Sequence, residues 1–303
     1  MASLADRLLS GDRRAVARAI SLVEDADPSP LMTSLFPHGG RARVVGLTGA
    51  PGSGKSTLAD RLVAIARRRG DEVAVLAVDP SSPFTGGAVL GDRVRMQDHI
   101  SDPGVYVRSM STRGALGGLA QATGAATVVL DAAGFDLVIV ETVGVGQSEV
   151  DVIELVETTV VVVAPGFGDG IQAAKAGLLE IGDIFVVNKA DLDGADSVIR
   201  DLRQMLSFGA VRPWSPPVVA SNAVRGDGVE ALWHAIGSHQ AFLDSPDGLP
   251  ASTGRIERMI RRALVERVAR TMNASVIPAD LVAAVAGRRL DPWSAAARIG
   301  QAD

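Results

Sequence analysis

Four stretches of this chain carry residue types whose spacing suits phosphate chemistry. Gly49-Ala50-Pro51-Gly52-Ser53-Gly54-Lys55-Ser56-Thr57 matches the pattern G-x-x-x-x-G-K-[ST] in full. Glycines let such a loop turn so that successive N–H groups face a phosphate. Lys55 is the cation for the β- and γ-phosphates, and the Ser56 hydroxyl is a ligand for Mg2+. Two acids end apolar runs: Asp79 after residues 73–78, and Glu141 after 137–140. Glu141 is placed to hold Mg2+, and the N–H of Gly144 can bond a γ-phosphate and so sense it. Asn188-Lys189-Ala190-Asp191 follows a further apolar run and matches N-K-x-D. Its carboxylate can accept from N1–H and the 2-amino group of guanine, a pair that adenine does not present. Ser221-Asn222-Ala223 stands where a loop would wrap the base. The chemistry expected is binding of GTP and GDP with Mg2+, and hydrolysis of GTP.

Lysine usage sharpens the choice of residues. Of 30 basic residues only three are lysine, namely Lys55, Lys175 and Lys189; the rest are arginine. A compact ammonium is retained where a planar guanidinium cannot serve. Two of the three fall in nucleotide motifs, which marks Lys175 as a third candidate. The net charge of −5 argues against a general nucleic-acid binder. With no cysteine, disulfides and thiolate metal sites are excluded. No apolar run is long enough to span a bilayer and no leader is evident, so a soluble cytoplasmic protein is expected.

Elements of regular type must present these loops on one edge. The apolar runs at 44–47, 73–78, 105–109, 136–141, 158–164, 184–187 and 218–220 read as buried strands, alternating with helical stretches. That alternation predicts an α/β fold: a doubly wound, mostly parallel sheet of P-loop GTPase type, with helical extensions at both ends. Residues 2–25 read as two short helices broken at Gly11, with Asp12 as N-cap, ended by Asp27-Pro28-Ser29-Pro30; 31–42 reads as a connector. From Ser252, Ile256, Met259, Ile260, Ala263, Leu264 and Val268 form an apolar stripe at helical spacing, and shorter helices follow Pro278 and Pro292. The organisation expected is a helical extension at 1–41, a GTPase domain at 42–245 and a helical dimerisation arm at 246–303. The glycine-rich loop at 80–96 has the composition of a segment that reorganises around a γ-phosphate.

The blocks GAPGSGKST, VDPSSPFTGGAVLGDRVRM, RSMSTRGALGGLA, ETVGVGQSEVD, PGFGDGIQAAKAG and NKADL resemble the MeaB/ArgK-type GTPases, the G-protein chaperones of methylmalonyl-CoA mutase. The resemblance implies Mg2+ near Ser56, Asp79, Asp92 and Glu141, and a switch loop at 166–175 that meets the mutase and carries Lys175, linked to hydrolysis. It implies a homodimer built partly through the C-terminal helices. It also implies an adenosylcobalamin-dependent acyl-CoA mutase as partner, with a cobalamin adenosyltransferase as a further one, and a role in gating cofactor delivery and protecting or rescuing the mutase. No glutamine follows a D-x-x-G directly, and Gln147 lies too far along, so slow intrinsic hydrolysis accelerated by the partner is expected. The alternative is a GTP- or ATP-dependent kinase of a transport-system binding protein.

Overall fold

The computed structural model describes residues 2–25, 27–79, 99, 101–111, 118–142, 156–166, 179–208, 212–274 and 277–299. Seven strands form one sheet: β1 (Arg43–Thr48), β2 (Val73–Asp79), β3 (Val105–Ser111), β4 (Leu137–Thr142), β5 (Thr158–Val163), β6 (Ile184–Val187) and β7 (Val218–Ala220). Their order is β3-β2-β4-β1-β5-β6-β7, and every pairing is parallel. A parallel sheet is covered on both faces, so its strands read as unbroken apolar runs. Every residue of β4 and of β5 is buried, which is why these runs were legible.

Helices clothe the two faces. On one side lie α1 (Leu4–Leu9), α2 (Arg13–Asp25), α3 (Ser29–Leu35) and α5 (Gly118–Ala132), which close over Val44, Ala74, Leu76, Val138 and Val140. On the other lie α4 (Lys55–Arg68) and α7 (Val229–Leu243), over Val45, Leu47, Ile139, Val160 and Val162. Neighbouring residues of one strand thus feed opposite cores, as the two-residue period of a strand requires. The helix α6 (Ala195–Phe208) covers Val161, Val163, Phe185 and Val187.

The N-terminal segment departs from the expectation at one point. Asp12 caps α2 as expected, its Oδ1 accepting from the N–H groups of Arg14 and Ala15 at 2.9 and 3.2 Å. Residues 31–42 are not a plain connector: α3 occupies Ser29–Leu35 and a 3-10 turn follows at Phe36–His38. Pro30 sits in the first turn of α3, where a missing N–H costs no helical bond. Leu31 and Leu35, one turn apart, are buried in the core shared with α5.

Beyond α7 the chain runs through α8 (Leu249–Ala274), α9 (Ala279–Ala286) and α10 (Pro292–Ile299). The chain divides into two compact units, Met1–Ile260 and Arg261–Asp303. In the second, α9 and α10 pack on one another, and Ala295 is buried.

Candidate functional site

Strand order decides where the motif loops meet. β1 lies between β4 and β5, and the chain runs outward from it in both directions, so the C-terminal ends of these strands form a topological switch point. The phosphate loop leaves β1 there. In register, Leu47 pairs Glu141 and Ala77 pairs Glu141, so β4 carries its acid between β1 and β2. Asp79 is the last residue of β2, at the same edge, opposite Ser111 of β3.

Two glycines make the loop possible. Gly49 has φ +143°, and a Cβ there would stand 2.0 Å from the Val162 carbonyl oxygen. Gly54 has φ +97°, and its Cβ would stand 2.1 Å from Asn188 Nδ2. Neither position can carry a side chain without moving a neighbouring strand or motif. Gly54 opens α4, so Lys55 and Ser56 begin the helix, where its dipole favours an anion. The Lys55 ammonium is buried in the loop and donates to the Gly49 and Ala50 carbonyls at 2.7 and 3.1 Å. Ser56 Oγ donates to Glu141 Oε1 at 2.5 Å, and both residues are buried.

Asn188 joins the phosphate loop to the base side. It is 2% exposed. Its Nδ2 donates to Ser53 O at 2.8 Å, and its Oδ1 accepts from Ser221 Oγ at 3.1 Å and from Ala223 N at 3.0 Å. Next to it, Lys189 adopts the left-handed conformation with φ 55°. That conformation costs a non-glycine residue about 1–2 kcal/mol. Hydrogen bonds from Ala190 N to Ser221 O and from Leu192 N to Lys189 O hold it. The turn sends Asn188 inward and leaves Asp191 exposed at the rim. Gly49–Thr57, Glu141, Asn188, Lys189, Asp191 and Ser221–Ala223 are therefore gathered at one edge, with Asp79 at the end of an adjacent strand. Gly144, Asp92 and Lys175 lie outside the described residues.

The donor set between loop and strand suits Mg2+. A hydroxyl and carboxylates are hard oxygen donors, and Mg2+ is commonly held by one or two carboxylates together with substrate phosphates. Among the described residues there is no cluster of three or more His, Cys, Asp or Glu that could cage a metal alone.

Two features of the unit were not anticipated. Arg61, on α4, donates from Nε to Ala223 O at 3.0 Å and from Nη2 to Val224 O at 2.9 Å. At the opposite edge of the sheet, a cavity of about 540 Å3 is lined in part by Asp183, Trp214, His239 and Phe242, and holds none of the predicted site residues. His239 Nδ1 is 2.9 Å from Thr158 Oγ1, and Nε2 is 3.5 Å from Asp183 Oδ1. Burial pushes the His239 pKa down to about 4 and that of Asp183 up to about 6. A histidine at the apolar spacing of Leu232 and Ile236 was the available signal. Among the described residues no helix is long and apolar enough to cross a membrane.

A parallel sheet with a phosphate loop after β1 and N-K-x-D after β6 is the layout of a P-loop GTPase. The model of the family described as methylmalonyl-CoA mutase-associated GTPase MeaB matches residues 16–278. A Pyrococcus horikoshii protein named as a GTPase is 48% identical over 301 residues, covering 97% of this chain and 95% of the relative. The mitochondrial methylmalonic aciduria type A homolog of Caenorhabditis briggsae is 36% identical over 259 residues, covering 76% of this chain and 63% of that protein. The crystal structure of an LAO/AO transport system kinase superposes with a TM-score of 0.66 at 26% identity, over 98% of this chain and 95% of that one. The chain belongs to the MeaB family of methylmalonyl-CoA mutase-associated GTPases. It is a GTPase and binds guanine nucleotide.

Proposed function

We propose that this GTPase is a chaperone of an adenosylcobalamin-dependent acyl-CoA mutase, gating cofactor delivery and protecting or rescuing the mutase. The observation that carries the nucleotide half is the Asn188 clamp, which unites the phosphate loop, the guanine motif and the base loop. The mutase half is supported by the family's description and by the methylmalonic aciduria homolog.

In this reading GTP lies along the C-terminal strand edge. Asp191 accepts from the guanine N1–H and 2-amino group, and Ser221, Asn222 and Ala223 border the base. Gly49–Thr57 cradle the phosphates. The Lys55 ammonium exchanges its loop carbonyls for phosphate oxygens, and the N-terminus of α4 adds a favourable field. Ser56, Asp79 and Glu141 would hold Mg2+, with Asp92 as a further ligand. When bound, Mg2+ neutralises charge on the phosphoryl oxygens. Water attacks the γ-phosphate in line while Lys55 and the loop amides stabilise the spreading charge. Gly144 senses the γ-phosphate, and Lys175 completes the site when the mutase engages the 80–96 and 166–175 segments. The exposed Ile256, Ile260, Leu264, Val265 and Val268 of α8 support a homodimer. A cytoplasmic location and a cobalamin adenosyltransferase as a further partner complete the proposal.

The test is GTP turnover with and without purified adenosylcobalamin-dependent acyl-CoA mutases, for the wild type and Lys175→Ala. The expected result is slow turnover alone, acceleration by one mutase, and no acceleration of the variant. Turnover unmoved by every mutase would overturn the chaperone assignment. Transfer of labelled phosphate from GTP to a protein would instead favour the kinase reading suggested by the transport-system kinase structure.

A further inference from the structure

Arg61 belongs to none of the nucleotide motifs, yet it is bonded to the loop beside the base. It lies on α4, six residues after Lys55, and that helix is anchored by the buried Leu58, Ala59, Leu62 and Val63. Two nitrogens of its guanidinium meet two successive carbonyls, Nε to Ala223 O and Nη2 to Val224 O. The planar fork of arginine supplies this paired geometry; the ammonium of lysine does not. The N–H of Ala223 is meanwhile fixed by Asn188 Oδ1. The far side of the loop is closed by Asn222 N to Asp227 O and by Gly226 N to Asn222 O. The peptide groups flanking Ala223 are therefore held by Asn188 on one side and by Arg61 on the other.

We propose that Arg61 is a positioning residue that sets the guanine selectivity of the site by fixing the Ser221–Val224 loop to the phosphate-loop helix. The proposal rests on the reading that this loop borders the base. Among the described residues the Arg61 guanidinium bonds to the loop's carbonyls, so its removal loosens the base contacts and leaves the grip of Lys55 and Gly49–Thr57 on the phosphates in place.

The test compares the full-length wild type with Arg61→Ala, Arg61→Lys and, as a control from the same helix, Arg68→Ala, whose guanidinium meets Glu230 rather than the loop. GDP and ADP compete against a fluorescent guanine nucleotide, and kcat and KM are measured for GTP. In Arg61→Ala, GDP affinity is expected to fall about tenfold, an effect of two hydrogen bonds, with ADP affinity unchanged. KM for GTP rises while kcat stays within about twofold. Arg61→Lys recovers part of the loss, and Arg68→Ala matches the wild type. Equal losses for GDP and ADP, or an unchanged ratio of the two, would overturn the role of Arg61, as would a lowered melting temperature with that ratio intact. If Arg61→Ala does not fold, the ratio in Arg61→Lys decides. A wild type with no preference for GDP would instead refute the base-loop reading itself.

Discussion

Replacing Asn188 by alanine removes the side chain on which three segments converge, and its cost follows from the contacts. Ser53 O loses its donor at 2.8 Å, and Ser221 Oγ and Ala223 N lose an acceptor at 3.1 and 3.0 Å. At 2% exposure, water does not reach the position without rearrangement of the loops. A buried polar group left unmade costs about 1–3 kcal/mol, and the lower end at all three gives about 3 kcal/mol. For a unit of this size that is a fall of about 6–12 °C in melting temperature. Whatever part is instead borne by the bound state appears as weaker GDP binding, about tenfold for each 1.4 kcal/mol. Asp191→Ala supplies the contrast, because Asp191 is exposed and projects from the rim. Its removal is expected to leave the melting temperature unchanged and to lower GDP affinity by about a hundredfold or more, with loss of preference over ADP. Thermal denaturation with and without GDP, alongside GDP and ADP titrations, separates the two. An Asn188→Ala protein with the melting temperature and GDP affinity of the wild type would refute the clamp.

The metal reading and the far edge of the sheet each yield a further expectation. Ser56→Ala, which removes an oxygen donor, and Glu141→Gln, which removes the carboxylate charge, each raise the Mg2+ concentration for half-maximal GTP turnover by about tenfold or more; a Mg2+ titration of turnover checks this, and unchanged midpoints would argue against both ligands. His239 is held neutral, its pKa pushed down to about 4 by burial. As pH falls from 7 to 5 the unfolded chain takes up this proton before the folded one, and the wild type loses about 2 kcal/mol at this residue. Asp183, pushed up to about 6, opposes that loss: its folded form binds the proton first, and stability rises over the same interval. His239→Gln keeps the gain without the loss, so its urea midpoint should rise relative to the wild type between pH 7 and pH 5. Parallel pH responses of the two proteins would refute this account.

The strands were legible because burial on both sheet faces writes them as apolar runs; β6 begins and ends where its run does. Helix α3 was hidden by Pro28 and Pro30, which read as a stop although a first-turn proline is compatible with a start. Helix α6 went unassigned because no motif drew attention to it, yet Ala195, Ile199 and Leu202 have the spacing that would have found it. The site divides along a different line. Residues that meet a ligand with a demanding chemistry must be of particular types at fixed offsets, so Lys55, Ser56 and Asp191 stand out in the sequence, and Asn188, which holds loops, stands out with them only because it lies within the N-K-x-D pattern. Residues that hold the loops in place bond to main-chain carbonyls, which every residue offers, and such bonds leave no partner residue to recognise. Arg61 is of this second kind. In a chain whose cations are nearly all arginine, residue type singles out the three lysines and conceals Arg61 among its neighbours. What distinguishes it from Arg68, farther along the same helix, is the position of two carbonyl oxygens, which the fold alone supplies.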